Sequence, residues 1–117
     1  MADSYIEVTK DTFAEKVLSI PSSQIVIVNF SSAQSGACQI QDPEFDAVSK
    51  ELSATYQERA LFARVSIEGQ DEFTQKWNIL DVPAMVFFKD GREIYRITGI
   101  VMRERLRRRI EGVLLAN

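Results

Sequence analysis

The chain has 117 residues, 45% apolar and 26% charged, with a formal net charge of −3. That length suits a single domain over residues 1–117 with enough apolar material for a core. It holds one cysteine and no histidine. This excludes an internal disulfide, a cysteine-only zinc or iron–sulfur site, a Ser-His-Asp triad, a Cys-His pair and histidine-based metal binding. No metal and no cofactor are expected.

Ile6 to Thr9 alternates apolar and polar residues, as a short half-buried strand does. Thr12-x-x-Glu15 has the spacing of a capping box, with Asp11 as the other candidate cap. Phe13, Val17 and Leu18 then share one face of a short helix that Pro21-Ser22-Ser23 ends. Ile25 to Phe30 is a largely β-branched run, the pattern of a strand covered on both faces. Ser31 to Gly36 is a polar loop. Ala37 to about Tyr56 reads as a helix, with Ile40, Phe45, Val48, Leu52 and Tyr56 on its apolar face and a kink expected at Pro43.

Leu61 to Ile67 reads as a strand and Asp71 to Trp77 as a short helix that packs Trp77 into the core. Val82-Pro83 is a turn, Ala84 to Phe88 a buried strand, Asp90-Gly91 a hairpin turn and Ile94 to Thr98 the returning strand. Met102, Leu106, Ile110, Val113 and Leu114 line one face of a final helix. The order β-α-β-α-β-α-β-β-α describes an α/β domain with a mixed central sheet and helices on both faces.

Charge is unevenly spread. Residues 103–117 carry five of the 14 basic and two of the 17 acidic residues, so they stand at +3 and residues 1–102 at −6. The five arginines fall mainly off the apolar face, and Glu104–Arg108 and Arg107–Glu111 sit at pairing distance along the helix. This favours a solvated helix face over a nucleic-acid site. No apolar run is long enough to span a bilayer. Met1 to Tyr5 carries Asp3 and no apolar stretch, unlike a secretory signal. A lone thiol fits a reducing, cytoplasmic setting.

Four anchors resemble the thioredoxin family. Val26 to Phe30 leads into Ser35-Gly36-Ala37-Cys38, where that family has an apolar strand followed by Trp-Cys-Gly-Pro-Cys. Pro43 lies five residues past Cys38, Val82-Pro83-Ala84 matches the family's cis-proline loop, and Phe88-Lys89-Asp90-Gly91 with Gly99 matches its last hairpin. The resemblance covers nearly the whole chain and implies the thioredoxin fold. Its extra length relative to the family falls around Thr55 to Ala60.

The resemblance also implies what is missing. Disulfide reduction needs an attacking thiolate and a second, resolving thiol. Ser35 stands at the attacking position, and a hydroxyl with no base beside it cannot replace a thiolate. Cys38 matches the resolving thiol. Asn29 replaces a buried aspartate, and an amide cannot take up a proton at neutral pH. Ser31 and Gln34 replace two tryptophans, Ala37 a proline and Ala84 a threonine, while Arg64 stands where the family has a strand lysine.

A protein lacking the dithiol is therefore expected, one unsuited to reducing disulfides. The retained surface around Gln34, Gly36, Ala37, Val82, Pro83 and Gly99 implies binding of a protein or extended peptide, in a chaperone-like or assembly role. The alternative is a monothiol redox protein in which Cys38 forms mixed disulfides or is capped by glutathione.

Overall fold

The computed structural model describes residues 4–117, so Met1 to Asp3 of the expected non-signal N-terminus lie outside the described residues. Five strands form one sheet in the order β1-β3-β2-β4-β5. They are β1 (Ile6–Glu7), β2 (Ile25–Ser31), β3 (Ala60–Ser66), β4 (Ala84–Lys89) and β5 (Arg92–Thr98). β1 and β2 each run parallel to β3, whereas β4 is antiparallel to both β2 and β5. Three α-helices cover the sheet: α1 (Gly36–Thr55), α2 (Asp71–Lys76) and α3 (Arg103–Ala116).

Every residue of β2 is buried because the strand is central and covered on both sides. Its odd positions Ile25 and Ile27 join Phe45, Leu52, Phe62, Phe87, Leu106 and Ile110 under α1 and α3. Its even positions Val26, Val28 and Phe30 join Val8, Phe13, Phe73 and Phe88 on the opposite face. The period-2 alternation of a strand thus divides one apolar run between two cores. By the same alternation, Asn29 and Ser31 point to the α1 side.

The segment after β1 departs from the expected capped helix. Ala14–Leu18 is a π-helical turn, closed by Ser19 N–H donating to the Ala14 carbonyl at 2.9 Å. Neither Thr12 nor Asp11 caps it through a side chain. Thr12 Oγ1 instead accepts the Thr9 N–H at 3.0 Å, so the hydroxyl closes the preceding turn. α1 runs unbroken through Pro43. Asp90 and Gly91 both take positive φ (55° and 73°), as a two-residue hairpin turn requires. Trp77 follows the last turn of α2, with its ring centroid 5.3 Å from both Phe13 and Phe88, edge-on to Phe88 and tilted to Phe13.

Two positions expected on buried faces point outward. Ile40 is 51% and Met102 55% exposed. In α1 the phase of the helix turns Gln41 inward in place of Ile40. In α3 Met102 is the residue before the first turn rather than part of the packed face. Three of the five arginines of α3 are engaged: Arg103 with Glu44, Arg107 with Glu51, Glu104 and Glu111, and Arg109 with the Tyr95 hydroxyl. Glu104 pairs with Arg107, one position short of the expected Arg108.

Candidate functional site

The site lies at one end of the sheet, where β2 ends, β4 begins and β5 ends. β2 and β4 are paired as far as Phe30 and Ala84, which sets the loop after β2 beside Val82-Pro83. That loop is held by its own serines. The Ser35 N–H donates to the Ser32 carbonyl at 3.2 Å, and the Gln34 N–H to Ser32 Oγ at 3.1 Å.

Ser35 has an extended backbone (φ −96°, ψ 122°), and its Oγ accepts the Cys38 N–H at 3.2 Å. The hydroxyl is therefore the N-cap of α1 and satisfies one of the free amides at the helix start. Cys38 sits in the first turn and is 0% exposed. Its Sγ accepts the Ser32 N–H at 3.4 Å. Gln34 and Gly36 are exposed and Ala37 half-buried, so the loop presents backbone more than functional groups.

Further along α1, Asp42 gathers a set of polar side chains from the sheet. Asn29, fully buried, donates from Nδ2 to Asp42 Oδ1 at 3.0 Å. Ser31 Oγ approaches both Asp42 oxygens, at 3.0 and 2.8 Å. Arg64, the cross-strand neighbour of Asn29, reaches Asp42 at 3.5 Å and Glu7 at 3.7 Å. Asn29 Oδ1 and Arg64 Nε are buried with no hydrogen-bond partner. Asn29 and Arg64 thus stand together, as the resemblance implies, but the carboxylate between them comes from α1.

On the outer side of the loop, Glu68 accepts the Ala33 N–H at 3.3 Å. Its carboxyl is held below the usual range, first by a hydrogen bond from the Ser32 side chain and then by the Ala33 amide. Opposite, the Val82–Pro83 peptide is cis, and the Pro83 carbonyl accepts the Gly99 N–H at 3.0 Å. Gly99 has φ 80°, a conformation costly for any residue with a Cβ. Gln41 fastens the next segment to α1: it donates to the Val101 carbonyl at 3.1 Å and accepts the Val101 N–H at 2.7 Å. Ile100 (42% exposed) and Ile40 stay in solvent around this fastening.

Sequence reasoning missed Asp42, Glu68 and Gln41. Asp42 and Gln41 had one signal, their place on or beside the helical face that carries Cys38. Glu68 had none, because its partners lie across a loop. Chemically the site offers one buried thiol and a hydroxyl already used as a cap. Among the described residues no group of three or more Cys, Asp and Glu could hold a metal ion.

Residues 4–112 match the Thioredoxin family. Thioredoxin H10 of Arabidopsis thaliana is 33% identical over 76 residues, covering 65% of this chain and 46% of that protein. The thioredoxin of Mycobacterium tuberculosis is 27% identical over 109 residues, covering 93% of this chain and 89% of that one. Among solved structures, Malassezia sympodialis thioredoxin superposes with a TM-score of 0.75 over 98% of this chain and 91% of its own, at 21% identity. With the β1-β3-β2-β4-β5 sheet and a family match over residues 4–112, the chain belongs to the thioredoxin family.

Proposed function

We propose that this protein is a peptide- or protein-binding member of its family that has given up dithiol chemistry, in a chaperone-like or assembly role in a reducing, cytoplasmic setting. The observation that carries this reading is the use made of Ser35. Its hydroxyl is committed to capping α1, and the one thiol nearby is buried. A two-thiol exchange has neither an attacking nor an accessible resolving group.

Support for the binding part comes from Val82. The β2–β4 ladder stops at the Phe30–Ala84 pair, so the peptide groups of Val82 lie past the paired region beside the loop. An extended segment laid there adds main-chain hydrogen bonds as strand addition does. Ile40, Ile100 and Met102 add exposed apolar surface near the same end. Burial of Cys38 favours this reading over a monothiol redox protein, whose sulfur must be reached by its partner. Among the described residues no helix is long and apolar enough to cross a membrane.

The test has two arms. Insulin reduction with dithiothreitol should stay at the uncatalysed rate, and a rate near that of a dithiol thioredoxin overturns the loss of chemistry. Partners captured by the wild-type chain should be lost with Val82→Trp, which fills the groove at a half-buried position. Capture unchanged by Val82→Trp removes the groove from the proposal. Gly99 is the poorer site for this test, because its positive φ makes any substitution a folding defect.

A further inference from the structure

We propose that the groove between β5 and α3 is a docking surface for an acidic protein segment that carries an apolar side chain. Its lining includes neither Val82-Pro83 nor the loop after β2, so it is separate from the groove described above.

The two polar sides of α3 differ in character. Towards α1, Arg103 and Arg107 are neutralised by Glu44, Glu51, Glu104 and Glu111. Towards β5, Arg105, Arg109, Gly112 and Ala116 follow one another at helical spacing. Arg105 and the neighbouring Arg108 are exposed and form no ion pair with the described residues. Arg109 donates to the Tyr95 hydroxyl at 2.9 Å and lies 5.8 Å from the centre of that ring, so its partner is neutral and its charge is not cancelled.

These cations border an apolar floor. The groove has a volume of about 330 Å³ and is lined by Ile94, Tyr95, Arg109, Gly112, Val113 and Ala116. A Cβ added at Gly112 would meet nothing within 4 Å, so no packing within this chain asks for a glycine there. Glycine inside a helix is destabilising relative to alanine. Here it leaves the floor open to a side chain from outside. At the far end Lys89, the cross-strand neighbour of Arg92, donates to the Asn117 carbonyl at 2.9 Å. The nearby acids do not balance these cations: Asp90 lies at the hairpin tip, and Glu93 is held by Arg96 at 2.7 Å. Charge complementarity selects an acidic occupant, and the floor selects one with an apolar side chain. A nucleic acid fits less well. The Tyr95 ring is engaged by Arg109 and by Phe87 at 5.5 Å rather than free for a base to stack on. Residues 1–102 carry a net negative charge, which repels a polyanion running beyond the patch.

The experiment is fluorescence anisotropy of a labelled synthetic peptide, glutamates flanking one phenylalanine, titrated with the full chain. Saturable binding is expected. It should weaken as salt rises from about 0.1 M to about 1 M, where the screening length falls from about 10 Å to about 3 Å. Arg105→Gln combined with Arg108→Gln should raise Kd roughly tenfold. Gly112→Leu keeps every charge and fills the floor, and should raise Kd as well. Circular dichroism checks that both variants keep the helix. Binding that is absent, that ignores salt or that survives either variant unchanged overturns the proposal. So does loss of binding in Val82→Trp, which places the peptide in the other groove, and so does tighter binding of a single-stranded oligonucleotide of equal charge. Sedimentation of the chain alone should show a monomer. A dimer that the double arginine variant dissociates assigns this face to a second copy and overturns the proposal.

Discussion

Gln41 is the buried polar side chain that fastens the segment after β5 to α1. It is 1% exposed, and its amide makes a two-way pair with the Val101 peptide unit, accepting at 2.7 Å and donating at 3.1 Å. Gln41→Ala leaves a buried N–H and a buried carbonyl without partners, so a loss of about 2–4 kcal/mol is expected in denaturant unfolding. Gln41→Glu keeps the acceptor and loses the donor, and should fall between wild type and alanine. This residue also marks where the sequence ceased to be legible. Periodicity alone prefers Ile40 for the buried face because it weighs side chains by polarity. The structure buries Gln41 because a backbone segment 60 residues away needs both halves of its amide. Asp42 was hidden for the same reason. Its hydrogen bonds all cross from α1 to the sheet, and spacing along one helix does not reveal what lies under it. Asn29, Ser35 and Cys38 were singled out through the resemblance to the thioredoxin family, whose strand–loop–helix unit they match position by position.

At the scale of elements, chain order and type were readable in nearly every case, since each strand or long helix carries its own period. The ends were less so, because caps are supplied by partners. α3 begins after Met102, which offers no side-chain cap. The cap comes from α1 instead: Glu44 Oε1 accepts the Arg103 N–H at 2.7 Å, and Oε2 pairs with the Arg103 guanidinium at 3.0 Å. The backbone hydrogen bond from Arg103 is the largest cause holding the Glu44 carboxyl below its usual range, followed by the Arg103 side chain. Glu68 is lowered too, by Ser32 and Ala33. A carboxyl depressed by folding adds stability above its unfolded value, near pH 4.3, and that contribution is lost as pH falls through the folded value. Stability should therefore drop as pH is lowered below about 4.5, with helix α3 and the loop after β2 loosening. Urea midpoints measured from pH 7 downward check this. Glu44→Gln and Glu68→Gln should each start less stable at neutral pH and lose less on acidification. A slope unchanged in both variants would mean that other carboxylates carry the acid response.

On the scale of the whole molecule, one sheet separates two cores, and both are built on the buried strand β2. The face opposite α1 and α3 is built around Phe13, whose ring centroid lies 4.9 Å from Phe73, 5.3 Å from Trp77 and 5.4 Å from Phe88. The site sits at the end of the same sheet, so β2 links this aromatic cluster to Asn29 and Ser31 through alternate residues of a single strand. Phe13→Ala removes a 2% exposed ring and leaves a cavity that the surrounding aromatics can only partly fill. A loss of about 3–5 kcal/mol is expected, a large share of the roughly 5–15 kcal/mol typical of a domain. Trp77, the one tryptophan of the chain, touches this cluster and gives a local signal, while far-ultraviolet circular dichroism reports all helices. Both signals should shift to lower denaturant together, with an unchanged slope, because buried β2 couples the two faces. Two separated transitions would show the faces unfolding independently. The site under α1 would then survive loss of the opposite core, and its polar layer would have to be stable on the strength of α1 and α3 alone.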